Sequence, residues 1–350
     1  MGNLCKKLMM LLHSRLTLTA LIFAGILGMG MACNKKETSG EGSFNPTPMV
    51  FVKPINLPEP TYNFTTEQPT KEGFALGRKL FYDERLSDDN TISCGSCHKA
   101  SAAFADPGVA LSPGVRKQVG IRNSTTIMNV AWNADFFWDG RATHLNDQPI
   151  SPIHNPLEMN ESIANVVKKI KDDATYKSMF YKAYGTDVVD SVKILKSLGM
   201  FMAFANSYNS KFDRVQRNEN SEKFTVTEQE GYVVFIKKCD PCHKGHLFTD
   251  NKFHINGLPP TDAKDSGRFV ITRNINDLYL FKTPSLRNIL YTAPYMHDGR
   301  FNTLDEVFTH YTKNAGLEVT NADRTRLKAF LATLTDSTFL NNKDFADPGN

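Results

Sequence analysis

The chain contains Cys-x-x-Cys-His twice, as Cys94-Gly95-Ser96-Cys97-His98 and Cys239-Asp240-Pro241-Cys242-His243, and these strings use four of its six cysteines. No other feature constrains the fold as strongly. In this pattern two thiols bond the vinyl groups of a c-type haem, and the histidine that follows is held close enough to ligate the iron from one side. A chain built this way wraps helices and long loops around a prosthetic group that supplies much of its core. A bare Cys-x-x-Cys also occurs in zinc knuckles and thioredoxin-like redox sites. The immediate histidine in both copies, the lack of a preceding strand pattern and an export signal favour haem attachment instead.

That signal is Lys6-Lys7 followed by an apolar stretch from Leu8 to Ala32, so residues 1–32 read as a signal peptide. Cys33 follows small residues and resembles a lipoprotein cleavage site, the cysteine becoming the lipid-bearing first residue; ordinary secretion or an uncleaved anchor are the alternatives. Either way the body is expected in the periplasm or otherwise outside the cytoplasm, touching a membrane only through that anchor. Residues 33–64, with Pro46, Pro48, Pro54, Pro58 and Pro60, read as anchor and extended tether. Taking Lys6, Lys7 and Arg15 from 41 basic side chains leaves 38 against 37 acidic ones, so nothing in the charge argues for nucleic acid.

The body reads as all-α, two cytochrome c-like haem domains with long loops, at residues 65–220 and 221–350. Phe74, Leu76, Leu80 and Phe81 form a helical stripe that Gly77 and Arg78 interrupt. Residues 161–210 look helical. Val233, Val234 and Ile236 predict a helix before the second motif, with Thr227-x-x-Glu230 as its capping box, and Thr303-x-x-Glu306 offers another. Leu327, Phe330, Leu331 and Leu334 predict a closing amphipathic helix. Arg122-Asn123 then Asp139-Gly140-Arg141 follow the first motif, and Arg287-Asn288 then Asp298-Gly299-Arg300 follow the second, an order that points to internal duplication.

Phe137-Trp138-Asp139-Gly140-Arg141, Gln148, Asn155-Pro156-Leu157-Glu158-Met159, Thr283-Pro284-Ser285-Leu286-Arg287-Asn288 and Ala293-Pro294-Tyr295-Met296-His297-Asp298-Gly299 give roughly residues 70–335 a resemblance to the bacterial diheme cytochrome c peroxidases and their MauG-type relatives. The resemblance implies that Trp138 carries electrons between the haems, while Trp132 reads as ordinary core. It implies that Gln148 and Glu158 flank the open face of the first haem, with Pro152 and Met159 as apolar walls; an amide orients hydrogen peroxide and a carboxylate moves its proton. It also implies a calcium ion held by Asn123, Thr292 and Pro294, whose oxygen donors suit that metal.

Two departures stand out. Many members carry a histidine in the loop after the first motif that caps the resting iron; here Val115 occupies that place, so the first iron is expected to be open, with His144 and His154 as remote substitutes. Where a methionine usually ligates the second haem stands Tyr311, as in the MauG-type pattern, with His310 and Met296 as alternatives. The leading expectation is a peroxidase reducing hydrogen peroxide with electrons from a small cytochrome c or cupredoxin. A MauG-type enzyme oxidising a partner protein and a non-catalytic diheme electron carrier are the alternatives, and a homodimer is left open.

Overall fold

The computed structural model describes residues 44–258 and 265–349. The expected signal peptide, Cys33 and the start of the tether lie outside the described residues. The described chain is helical, with long connections and one minimal strand pair, Phe253–His254 against Phe281–Lys282, that the sequence pattern does not predict. The longer helices are α1 (Lys71–Tyr82), α2 (Ile163–Ile170), α3 (Ala174–Tyr184), α4 (Ser191–Phe204), α5 (Val226–Lys238), α6 (Leu304–Asn314) and α7 (Asn321–Ala332). None of the described helices is long and apolar enough to cross a membrane.

Two apolar clusters organise the molecule. The first joins Leu76, Leu80 and Phe81 of α1 to Leu198 and Phe201 of α4, with Phe104, Trp132 and Tyr176. The second joins Phe235 of α5 to Leu327, Phe330 and Leu331 of α7, with Phe212, Phe248 and Phe308. Gly77 does not interrupt the α1 stripe: it is the point of closest approach, where a Cβ would overlap the Ser197 carbonyl of α4. Gly231 does the same for α5, facing the Arg326 carbonyl of α7. This explains why Val233 and Ile236 are exposed while Phe235 and Gly231 are buried. The α5 capping box is Thr225 with Glu228, two residues earlier than predicted, whereas Thr303 and Glu306 cap α6 as predicted. Leu334 is buried with Leu327, Phe330 and Leu331, although it lies beyond the end of α7.

The clusters do not divide at residue 220. Phe212 belongs to the second, and Phe339, Leu340 and Phe345 return from the C-terminus to the first. Arg78 and Tyr82 of α1 fix that returning segment by donating to the carbonyls of Ala346 and Phe345 at 2.7 and 2.6 Å. Nor does the segment from residue 44 to 64 hang free. It is extended but docked: Phe51 stacks on Phe64, Leu57 is buried, and Pro58 accepts the indole N–H of Trp132. Asn56 reaches the second cluster, donating to Asp213 and accepting from His246 Nδ1 through its carbonyl.

The duplication is visible in the backbone: the predicted pairing of the two Asp-Gly-Arg strings holds, and that of the two Arg-Asn strings does not. Asn129 and Asn288 each adopt left-handed φ, 58° and 54°, and each begins a short 3₁₀ turn. Antiparallel bridges then pair Phe136 with Ala142 and Tyr295 with Phe301 around the two Asp-Gly-Arg turns. Asn288 therefore corresponds to Asn129, not Asn123. In this register Arg287 falls on Met128, His297 on Trp138 and Lys282 on Asn123.

Candidate functional site

Both Cys-x-x-Cys-His strings form tight turns directly after or within a helix, and Cys94–Cys97 is itself one helical turn. The four cysteines are free thiols. Burial pushes Cys94 and Cys239 up to about 12, reinforced at Cys94 by its neighbour Cys97. A reactive redox pair or a zinc site needs the opposite shift, and no cluster of three or more His, Cys, Asp or Glu suited to a metal ion occurs among the described residues. His98 donates from Nδ1 to the Phe104 carbonyl at 2.8 Å, and His243 shares its Nδ1 proton between Phe248 and Pro284 at 3.2 Å each. Those bonds orient each ring and leave Nε2 as the free lone pair, the arrangement an axial ligand requires. Surrounding protein lowers the proton affinity of both imidazoles, keeping them neutral.

Between the two motifs lies a cleft lined by Thr125, Met128, Trp138 and Gln148 from the first half and by Lys282 and Pro284 from the second. Trp138 is tied into both sides. Its indole N–H donates to the Asn123 carbonyl at 2.9 Å, its own carbonyl accepts from the Lys282 amide at 2.8 Å, and its ring meets His297 edge-on at 6.4 Å. Trp132 also touches the cleft but is buried in the first cluster, as its reading as core requires.

Glu158 is not among the residues lining that cleft. The Val115 amide donates to its carbonyl at 2.8 Å, and Asn155 Nδ2 donates to its carboxylate at 2.6 Å. Glu158 is an exposed residue, and the partial desolvation of its carboxylate raises its affinity for protons, opposed by the Asn155 bond and by the charge of Arg141. Its own charge is felt by the thiols of Cys94 and Cys97, which places it at the first motif. Val115 is completely buried beside it. His144 is instead engaged with the Asn146 amide and Glu67, and His154 is exposed. Pro152 and Met159 are joined by a backbone bond of 3.3 Å, with Met159 in the core; neither lines the cleft.

At the second motif, Tyr311 of α6 is pushed up to about 12 by burial and then by the thiols of Cys239 and Cys242. The two alternatives are committed elsewhere: His310 Nε2 donates to the Asn256 carbonyl at 2.8 Å, and Met296 sulfur accepts from Asn256 Nδ2 at 3.8 Å. Asn123 donates through Nδ2 to the carbonyls of Val109 and Ala110, while Gly108 donates to Ala293. Asn123 and the Thr292–Pro294 stretch thus both border the segment 108–110.

Sequence reasoning missed Lys282 and the Arg122 network. Arg122 bridges Asp139 and Asp265 with bonds of 2.6 to 2.9 Å, holding the Asp-Gly-Arg turn beneath Trp138. The Arg-Asn string flagged Arg122 without suggesting its partners.

Residues 71–221 match the family model for di-haem cytochrome c peroxidase. The methylamine utilization protein MauG of Methylorubrum extorquens is 33% identical over 298 residues, 81% of this chain and 83% of that protein. Cytochrome c551 peroxidase of Nitrosomonas europaea is 35% identical over 265 residues, 74% of this chain and 79% of that one. Among solved structures, a MauG-like protein associated with microbial copper homeostasis superposes with a TM-score of 0.78 at 30% identity, over 86% of this chain and 99% of that one. The chain belongs to the diheme cytochrome c peroxidase and MauG family. Membership implies two c-type haems, and the free thiol pairs, the oriented imidazoles and the cleft between them fit those groups.

Proposed function

We propose that this protein reduces hydrogen peroxide to two waters, using two electrons from a small cytochrome c or cupredoxin and two protons. Each haem, when bound, supplies a redox-active iron. The observation that carries the reading is Glu158: a carboxylate at the first motif, hydrogen-bonded by Asn155 and backed by buried Val115 where a capping histidine would otherwise stand. Its carboxylate takes a proton from one peroxide oxygen and returns it to the other, and the Gln148 amide orients the substrate. Trp138, bonded to both Asn123 and Lys282, provides the polarizable bridge between the haem sites. Asn123 Oδ1 with the carbonyls of Thr292 and Pro294 would hold a calcium ion that fixes this seam. We read the chain as two haem-bearing halves acting outside the cytoplasm, a reading supported by the two motifs and the N-terminal sequence. Steady-state turnover of peroxide with a reduced small cytochrome or cupredoxin tests the reading, and the fully oxidised protein is expected to react without prior reduction. Activity that appears only after one-electron reduction would contradict the role given to Val115.

Tyr311 favours a second reading, oxidation of residues in a partner protein, because its phenol lies against the second motif. If the phenolate ligates the second iron, Tyr311→Met raises that haem's reduction potential, since a thioether favours the ferrous state. An unaltered spectrum and potential in Tyr311→Phe would remove tyrosine ligation and this reading's main support.

A further inference from the structure

Lys282 is only 9% exposed, yet no hydrogen bond or ion pair reaches its Nζ among the described residues. Burying an ammonium without a partner costs several kcal/mol, and desolvation accordingly pulls this group down to about 8, opposed only by the more distant charge of Asp135. The backbone leaves the side chain little choice of position. Lys282 pairs with Phe253 in the strand ladder, and its amide donates to the Trp138 carbonyl at 2.8 Å. Lys282 is among the residues that line the cleft, together with Gln148 and Thr125.

The walls of that cleft identify what would meet the ammonium. Thr125 bonds His98 through its backbone, and Pro284 accepts from His243, so the space lies between the two imidazoles that the motifs present to haem. A haem bears two carboxylates on its edge, the anions that a protein carrying two haems supplies beside these imidazoles. The repeat sharpens the point. Asn123 occupies the corresponding position in the first half, donating its amide to the His297 carbonyl just as Lys282 donates to Trp138. One side of the seam is neutral and the other bears a cation.

We propose that Lys282 Nζ is the counter-ion of a haem propionate in this cleft, making it a positioning residue that holds that haem against Trp138 and raises its reduction potential. The proposal rests on haem occupancy at both motifs, which is read separately as haem content. The holoprotein is compared with Lys282→Met, Lys282→Gln and Lys282→Arg by redox titration and by redox-difference infrared spectroscopy with carbon-13-labelled haem carboxylates. With two haems retained, Lys282→Met and Lys282→Gln are expected to shift a propionate band and lower one midpoint potential. Lys282→Arg restores both. An unmoved band and unchanged potentials in Lys282→Met overturn the proposal. If Lys282→Met loses a haem, the comparison of Lys282→Arg with Lys282→Gln decides, and identical bands in those two overturn it. Asp135→Asn is expected to leave the propionate band in place; reproducing the Lys282→Met shift would identify Asp135 as the lysine's partner and also overturn it. Haem content below two in the parent protein would fault the family-based occupancy, not the lysine.

Discussion

The two halves use the same devices with different residues at the seam. Each sets a glycine where one helix crosses another, each aims a histidine by a backbone carbonyl, and each closes with an Asp-Gly-Arg turn. Where the first half has Trp138, Met128 and Asn123, the second has His297, Arg287 and Lys282. The first is aromatic and neutral at those positions; the second carries charge. A duplicated scaffold can therefore give its two haem sites unlike electrostatics while keeping one geometry, which suits a pair of centres with separate tasks.

Arg287 offers the largest test of that contrast. It is fully buried and pairs bidentately with Asp213 at 2.7 and 2.8 Å, where its counterpart is Met128. Arg287→Met copies the first half into the second and strands Asp213, so it should cost about 3–5 kcal/mol of unfolding free energy, the usual scale for breaking a buried pair. Denaturant unfolding measures this. Despite its desolvation, Asp213 titrates below the ordinary range because of Arg287 and Ser210. Its contribution is therefore complete above the unfolded carboxylate value of about 3.9 and is lost as pH falls through the lower folded value. Stability that is flat through acid pH would show the pair to be inert.

Glu158→Gln probes the opposite side of the comparison. It should leave both haems attached and slow peroxide turnover by about 10²-fold, or about 2.7 kcal/mol. Unchanged turnover would remove Glu158 from the chemistry and leave the halves differing only in electron transfer. The smallest expected effect tests what they share: Gly77→Ala and Gly231→Ala should each destabilise by about 1–3 kcal/mol, because each Cβ meets a helix carbonyl that cannot move cheaply. If only one substitution does so, the crossings are not equivalent.

What the sequence disclosed depended on how local the signal was. The haem strings and the Thr303 cap are complete within a few residues, and both were legible. Thr225-x-x-Glu228 and Thr227-x-x-Glu230 are indistinguishable as strings, and only the packing of α5 on α7 selects the first. Val233, Val234 and Ile236 gave the helix but not its buried face, because a glycine, invisible to hydrophobic patterning, marks the true contact. The repeat was detectable and its Asp-Gly-Arg strings were paired correctly, but Asn288 was paired with Asn123: Asn129 has no preceding arginine, and its equivalence to Asn288 lies in backbone conformation. Lys282 carried no signal at all, since an unpaired charge becomes informative only once its burial is known.

The returning C-terminal segment sets an order of events during synthesis. A ribosome releases α1 and the first Cys-x-x-Cys-His string long before Phe339, Leu340 and Phe345, yet these late residues complete the cluster in which α1 is packed. Contacts so distant in sequence form slowly, because a long loop must close before they gain anything. The first half is thus denied its final packing until residues 339–345 have docked. Residues 339–345 act as a latch on α1, closing the first cluster through its most distant contacts.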